Sequence, residues 1–330
     1  MATNGAQKVI TVVGSVNADI IVEISRFPKP GETMAARKND TGYVLPGGKG
    51  ANQAVAAKRL GQDNVTVNFI GVFGNDGNAK MLRGVLEREN VELSQSLTAD
   101  VPNGQALIFL NESGENSIII IGGANQAWPH DSVGEAIANT IKSSDVILLQ
   151  REIPDHVNEE VAAIAAEAGC TVVSDVGGAD SDFPAGMLKD STFVCPNETE
   201  LERVSGMPTT NEEEIKAAVK KLQAQGAQNV LVTLGADGSM LEMQDGRSFR
   251  LATISPPGDI VDTTGAGDVF RAAFAVGLAL ELPFEEALRR AAAASSFCIT
   301  KMGTIPAMPV AKEVDDLLAN AASVGGGSHL

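Results

Sequence analysis

A run of small residues directly before a long apolar segment is the most informative feature of the chain. It reads Asp262-Thr263-Thr264-Gly265-Ala266-Gly267-Asp268, and apolar residues dominate from 269 to 280. We predict a helix over 268–281, whose first backbone N–H groups and positive dipole end form a seat for an anion. Asp268 stands beside that seat. A carboxylate next to a bound phosphate can take a proton from the attacking nucleophile, so the pattern predicts phosphoryl transfer.

Two earlier segments carry residue types that suit a small polar substrate. Asn17 and Asp19 follow the predicted strand 8–14 and together supply the donors and acceptors that sugar hydroxyls need. Gly47 and Gly48 precede a predicted helix over 49–60, which places Lys49 and Asn52 on one face. Each segment alone is more typical of an ordinary turn, and neither matches a P-loop or a dinucleotide-binding fingerprint. Only the combination of these two segments with Asp268 favours a substrate-binding site.

Composition excludes several classes of partner. The net charge is -17, from 25 basic and 42 acidic residues, which disfavours binding to nucleic acid or to an anionic membrane. Any nucleotide must therefore be held by local donors and a divalent cation. Three scattered cysteines without metal-binding spacing predict reduced thiols in an intracellular protein. No apolar run reaches the ~18 residues of a membrane span.

The alternation of strands and helices predicts an α/β fold whose mostly parallel central sheet is covered by helices on both faces. Strands from about 17–46 and 103–123 break that rhythm, and we predict that they form a small β-sheet lid over one edge. We expect one catalytic domain over 1–322 and a flexible tail over 323–330. Because the apolar face of the lid needs cover, a homodimer formed through the lids is expected.

The tail carries a candidate targeting signal. It ends in Ser328-His329-Leu330, a variant of the Ser-Lys-Leu peroxisomal address. This predicts recognition by a peroxisomal import receptor and location in a peroxisome-type organelle. The alternatives are a disordered tail without this role and a cytoplasmic protein.

Five segments together resemble the ribokinase-like carbohydrate kinases. They occur in the order and rough spacing of that family, and the resemblance extends over about residues 9–309. The segments are 14–19, 47–52, Pro196-Asn197-Glu198-Thr199-Glu200, 233–238 and 262–268. Asn17, Asp19 and the Gly-Gly-Lys-Gly-Ala-Asn run are more similar to the ribokinase branch than to the fructokinase or adenosine kinase branches. The resemblance implies a three-layer α/β/α ribokinase-like fold and ATP-dependent phosphorylation of D-ribose at O5.

The resemblance also implies roles for single residues. Asp268 looks like the general base, and Gly265, Ala266 and Gly267 look like the anion hole. The positions that match sugar contacts are Asn17, Asp19, Gly47, Gly48, Lys49, Asn52 and Glu152. The positions that match nucleotide contacts are Asn197, Thr233, Leu234, Gly235, Ala236, Asp237, Gly238 and Gly267. Asn197 and Glu200 resemble the motif that organises Mg²⁺ through water.

A monovalent cation, K⁺, often activates the family. Its implied site comprises Asp262 and Thr264 together with the carbonyl positions of Cys298, Lys301 and Gly303. Ala307 stands where a serine is common, so one hydroxyl ligand is missing from the pattern.

Two further departures leave alternatives open. Asp175 lies in Asp-Val-Gly-Gly where Asn-Pro-Ala-Pro is usual, and we expect it to cap a turn in preference to assisting Mg²⁺. Arg271 replaces a frequent Asn just after the base, and it could touch a phosphate or pair with an acid. Rival functions are a kinase for another small sugar or nucleoside, and a non-catalytic sugar or nucleotide sensor on the same fold.

Overall fold

A computed structural model of the chain describes residues 7–111 and 116–325. Its central sheet has eight strands in the order β14-β13-β12-β11-β10-β9-β1-β4. The six strands from β12 to β4 are parallel, and β13 and β14 form an antiparallel hairpin at one edge. The strands are β1 (Lys8–Val13), β4 (Val65–Ile70), β9 (Val146–Leu149), β10 (Thr171–Asp175), β11 (Phe193–Cys195), β12 (Asn229–Thr233), β13 (Ser239–Glu242) and β14 (Ser248–Leu251).

Ten helices are present in the described part of the chain. They are α1 (Lys49–Gly61), α2 (Gly77–Arg88), α3 (Glu135–Lys142), α4 (Asp155–Ala168), α5 (Ala185–Asp190), α6 (Glu198–Ser205), α7 (Glu212–Ala224), α8 (Ala266–Ala279), α9 (Phe284–Cys298) and α10 (Ala311–Gly325). No helix among these residues is long and apolar enough to cross a membrane.

Alternating side chains of the central strands pack into separate hydrophobic layers. In β9, Leu148 joins the cluster that contains α1, α8 and α9, whereas Ile147 and Leu149 join the cluster that contains α3 and α4. Successive side chains of a strand point to opposite faces, so helices cover the sheet on both sides. The predicted three-layer α/β/α fold with a mostly parallel sheet is confirmed.

The predicted lid is a separate four-stranded sheet in the order β3-β2-β7-β8. Its strands are β2 (Asn17–Glu23), β3 (Tyr43–Gly47), β7 (Gly104–Leu110) and β8 (Asn116–Ile121), and a third sheet pairs β5 (Val72–Phe73) with β6 (Leu97–Thr98). Within this lid β7 and β8 pair antiparallel, and β2 pairs with β7 in parallel, a pairing that was not predicted. Asn17 opens β2 and pairs with Gly47 and Gly104.

Several helix ends differ by a few residues from the sequence prediction. Helix α8 begins at Ala266, two residues before the expected start, because Gly265 (φ 79°) adopts the left-handed conformation at the N-cap. Helix α10 continues to Gly325 and so includes the first residues of the expected tail. The predicted import signal, Ser328-His329-Leu330, lies outside the described residues.

Candidate active site

The Asp268 carboxylate is held in the first turn of α8 by two amides from α1. Asn52 Nδ2 donates to Oδ2 at 2.9 Å, and Gln53 Nε2 donates to Oδ1 at 3.0 Å. Asp268 is only 5% exposed, and a buried carboxylate is tolerated only when it is hydrogen-bonded. The two amides therefore fix the position of the predicted base while its helix end stays open to the cleft.

The start of α1 also anchors a second acid. Glu152 follows β9 at the carboxyl edge of the sheet, where ligands bind in such folds. Its Oε2 accepts from the backbone N–H of Lys49 at 3.0 Å and from Ser15 Oγ. Burial raises the pKa of Glu152, although Lys49 and Ser15 oppose that shift. Gly48 (φ 91°) permits the sharp entry into the helix.

The two lid residues predicted to contact a sugar lie beside Glu152. Asn17 Oδ1 accepts from Asn125 Nδ2 at 2.6 Å, and Asn17, Asn125 and Glu152 line a cavity of about 320 Å³. Asp19 Oδ2 lies 1.9 Å from where a Cβ at position 47 would stand, so a larger residue there would displace the Asp19 carboxyl. Burial, with repulsion from Glu152 and Asp268, raises the pKa of Asp19 to about 7. Asn17 and Glu152 thus line one small cavity, and Asp19 lies near Glu152 without being part of the cavity wall.

A larger cleft of about 710 Å³ lies at the start of α8. Most of the predicted nucleotide-contacting residues line it, together with part of the anion hole: Asn197, Thr233, Gly235, Ala236, Gly238, Ala266 and Gly267. Leu234 is instead buried in a hydrophobic cluster with α6 and α7, and its N–H donates to the Gly238 carbonyl at 2.8 Å. The side chain of Asp237 is exposed. The cleft thus joins the anion seat to the end of β12.

Asn197 and Glu200 form a capping box at the start of α6. Asn197 Oδ1 accepts from the N–H of Glu200, and Glu200 Oε2 accepts from the N–H of Asn197, both at 2.8 Å. Glu200 Oε1 faces Gly177, 2.6 Å from where a Cβ at that position would stand. Within 7–111 and 116–325, no group of three or more His, Cys, Asp or Glu could hold a metal ion directly. This donor set fits an ion that keeps most of its waters, as Mg²⁺ does.

Asp175 caps a turn, as expected, and also forms two ion pairs. Its Oδ1 accepts from the N–H of Gly177 at 2.8 Å and lies 3.2 Å from Arg271 Nη2. Its Oδ2 lies 3.3 Å from Lys49 Nζ. Although burial lowers the pKa of Lys49, the carboxylates of Asp175 and Asp268 outweigh this effect and raise it. Arg271 was expected either to touch a phosphate or to pair with an acid, and the structure shows the ion pair with Asp175.

One carboxylate of the predicted cation site links two of its other members. Asp262 accepts from the N–H of Thr264 through Oδ1 and from the N–H of Gly303 through Oδ2, both at 2.9 Å. Cys298 is buried at the end of α9. The prediction involves the carbonyl of Lys301; its ammonium group contacts the Phe297 ring and lies 3.5 Å from Glu313. The loop before α8 is thus fixed against the segment after α9.

Several residues at the site were not identified from the sequence. Gln53 adjoins Asn52 in a segment already singled out, so its position next to a predicted site residue was the available signal. Asn125 lies in a short 3₁₀ turn, and nothing in its neighbourhood marked it. The cleft is also lined by Thr253, Ile254, Pro256, Ile260, Phe270, Ala292, Ser295, Ser296 and Ile299.

Comparisons with known proteins give the family and the relatives that this chain resembles. The pfkB family carbohydrate kinase profile matches residues 7–311. Ribokinase of Arabidopsis thaliana is 44% identical over 94% of this chain and 80% of its own length, and ribokinase of Haemophilus influenzae is 34% identical over 96% and 100%. The structure of Arabidopsis thaliana ribokinase complexed with ribose and ATP has a TM-score of 0.89 at 43% identity. That match covers 94% of this chain and 99% of the other.

The high pKa of Asp19 predicts a specific pH dependence of stability. Its folded-state pKa of about 7 lies above the ordinary value of 3.8, so between these values the folded protein binds this proton more tightly than the unfolded chain. The free energy of unfolding should therefore fall as pH rises through that window, by on the order of 2–4 kcal/mol from this group. Asp19→Asn should remove that part of the decline.

Urea unfolding of the ligand-free protein at several pH values between the two pKa values and above them measures this effect. Asp40→Asn, which removes an exposed carboxylate between β2 and β3, is the matched control and should leave the pH dependence unchanged. If the stability difference between wild type and Asp19→Asn were the same at every pH, the assignment to Asp19 would be wrong.

Proposed function

Because the chain belongs to the pfkB family of carbohydrate kinases, we propose that it transfers the γ-phosphoryl group of ATP to O5 of D-ribose, giving D-ribose 5-phosphate and ADP. One observation carries this proposal. Asp268 stands at a helix end that opens into a nucleotide-sized cleft. The first turn of α1 bonds Asp268 through Asn52 and, through the N–H of Lys49, bonds Glu152 in the wall of a small polar cavity.

The chemistry follows from that arrangement. Asp268 accepts the proton of the ribose O5 hydroxyl as the bond from O5 to the γ-phosphorus forms and the bond from that phosphorus to the bridging oxygen of ADP breaks. General bases typically contribute about 10²–10⁴-fold. The N–H groups of residues 265–267 stabilise the charge on the moving phosphoryl group, and one such donor is worth roughly 2.7–4 kcal/mol of barrier.

The polar cavity favours a small polyhydroxy substrate over a nucleoside. Asn17 and Glu152 in its wall, with Asp19 near Glu152, offer amide and carboxyl groups to hydroxyls. A purine would need an apolar or aromatic shelf, but the chain has one Trp and one Tyr. Trp128 is buried in the core cluster of α3 and α4, and Tyr43 lies on the edge strand of the lid. A kinase for another small sugar remains the second candidate.

Glu200 and Asn197 are the residues that would hold Mg²⁺, through water. When bound, the ion neutralises charge on the phosphates as the γ-group is transferred. Asp262, Thr264 and the carbonyls of Cys298, Lys301 and Gly303 are proposed to bind K⁺ behind the anion hole. The two hydrogen bonds of Asp262 already link these segments. The cation would then act by stiffening the loop that ends at Gly265.

We also propose that two lids pair to form a homodimer. Ile118, Ile119, Ile120 and Ile121 on the edge strand β8 are each 44–54% exposed, and Val44 on the opposite edge strand is 40% exposed. Long apolar edge strands favour pairing with another chain. Sedimentation should give a dimer for the wild type and a monomer for Ile119→Lys. A wild-type monomer would contradict the proposal.

Import into a peroxisome-type organelle remains a proposal that rests on Ser328, His329 and Leu330. A fluorescent protein that carries residues 323–330 at its C-terminus tests it. Punctate peroxisomal fluorescence supports import, and diffuse cytosolic fluorescence would remove it.

The substrate assignment is tested by ADP release with ribose, deoxyribose, fructose and adenosine. We expect ribose to give the highest kcat/KM. The same assay with Asp268→Asn should lose about 10²–10⁴-fold in kcat, because the base is removed while its shape is kept. Asp131→Asn, at an exposed position away from the cleft, is the matched control. A ribose rate no better than the others would overturn the substrate assignment, and a variant rate within about tenfold of wild type would overturn the role of Asp268.

Activation by K⁺ is tested by replacing K⁺ with Na⁺ or a large organic cation. We expect activity to fall in both, because the larger ion cannot enter and the smaller one fits the oxygen ligands less well. Asp262→Asn, which keeps the side-chain shape, should weaken the response to K⁺. Equal activity in all three cations would show that no such site operates in this chain.

A further inference from the structure

Arg271 is held rigidly beside the anion seat by acceptors from two strand ends. It lies on α8 one turn after Asp268 and is 4% exposed. Its Nε and Nη2 donate to the Cys195 carbonyl at 3.2 and 2.7 Å, and Nη2 lies 3.2 Å from Asp175 Oδ1. The same nitrogen lies 3.6 Å from Glu200 Oε2. One edge of the guanidinium is therefore fully occupied.

The other edge of the guanidinium faces the seat. Nη1 lies 2.6 Å from where a Cβ at Gly267 would stand, and both Arg271 and Gly267 line the large cleft. Among the residues that the structure describes, Nη1 has no hydrogen-bond acceptor. Guanidinium nitrogens only donate, so the N–H groups of Nη1 require an acceptor from a ligand or from water.

The charges around the seat make a phosphate the fitting acceptor. Asp175, Glu200 and Asp268 are acidic. Lys49 pairs with Asp175, and Arg271 pairs with Asp175 and Glu200. A triphosphate approaching these carboxylates, in a chain of net charge -17, needs a fixed positive group at the seat. Arginine matches phosphate oxygens in geometry, and its hydrogen bonds to them are charge-assisted.

We propose that Arg271 is a catalytic residue that donates through Nη1 to the γ-phosphoryl oxygens during transfer, while Asp175 and the Cys195 carbonyl hold it in place. The two departures from the family pattern, at 175 and 271, then form one unit: the acid is present to position the arginine. This proposal rests on the proposed function, since it assigns a residue to the same phosphoryl transfer.

The simpler alternative is that Arg271 only neutralises the buried Asp175. Removing one partner of a buried ion pair leaves an uncompensated charge, so single variants confuse the two explanations. The double variant Asp175→Asn/Arg271→Asn removes both charges together. Asp175→Asn alone is its matched control, because it loses only the acid and keeps the arginine, which the Cys195 carbonyl and Glu200 still hold.

We expect the double variant to turn over ribose about 10²-fold more slowly than Asp175→Asn, as for loss of one charge-stabilising donor. KM for ribose should stay within about threefold, because the sugar cavity is untouched. The dissociation constant of a non-hydrolysable ATP analogue should rise about tenfold relative to Asp175→Asn, whereas that of ADP should change little, since only the analogue carries a γ-phosphate.

The proposal is overturned if the double variant turns over within about threefold of Asp175→Asn, or if the analogue and ADP lose affinity equally. Arg271→Lys is the second test should the double variant not fold: it keeps a positive charge beside Asp175 but lacks the fork that reaches Cys195 and a phosphate together. Its kcat should fall at least tenfold, and an unchanged kcat would overturn the proposal. A wild-type enzyme inactive on ribose would instead refute the proposed function.

Discussion

The double hydrogen bond from α1 to the Asp268 carboxylate is the interaction on which the site depends. Each carboxylate oxygen receives one amide, from Asn52 and from Gln53. The carboxylate is nearly buried, so either lost amide would leave a polar group unsatisfied at a cost of about 1–3 kcal/mol. The same first turn of α1 bonds Glu152 through the N–H of Lys49. One short segment thus sets the base, the acid of the polar cavity and the anion seat relative to each other.

The site reconciles an acidic chain with a phosphate-bearing substrate by placing donors locally. Gly265 and Gly267 expose backbone N–H groups at the start of α8, and Lys49 and Arg271 flank them. Acids lie behind these donors, where Asp175 pairs with both basic side chains.

On the other side of Asp268, burial keeps the pKa of Asp19 near 7, so this carboxyl can offer a sugar either a donor or an acceptor close to neutral pH.

The sequence predicted those features that depend on local spacing. The alternation of strands and helices gave the three-layer fold, because the hydrophobic pattern of each element is short-range. Asn52 and Asp268 were both identified as site residues from the residue types and spacing of the segments 47–52 and 262–268. The start of α8 was misplaced by two residues because the conformation of Gly265 depends on how the loop before it is held.

The sequence could not predict which side chains bond to groups from distant segments of the chain. Gln53 bonds a carboxylate 215 positions away, and Arg271 bonds a carbonyl 76 positions earlier. Such pairs form only when the sheet order brings separate segments to one edge. The parallel pairing of β2 with β7 has the same origin, since nothing within either strand specifies its neighbour. Whether Arg271 contacts a phosphate or pairs with an acid could therefore be addressed only from the three-dimensional structure.

A crystal structure with ribose and a non-hydrolysable ATP analogue tests most directly whether proton removal and charge stabilisation meet at the start of α8. We expect the γ-phosphate within hydrogen-bonding distance of the N–H groups of residues 265–267, and ribose O5 within hydrogen-bonding distance of the Asp268 carboxylate. A γ-phosphate bound away from this helix end, or a ribose whose O5 points away from Asp268, would contradict the claim that proton removal and charge stabilisation meet at the start of α8.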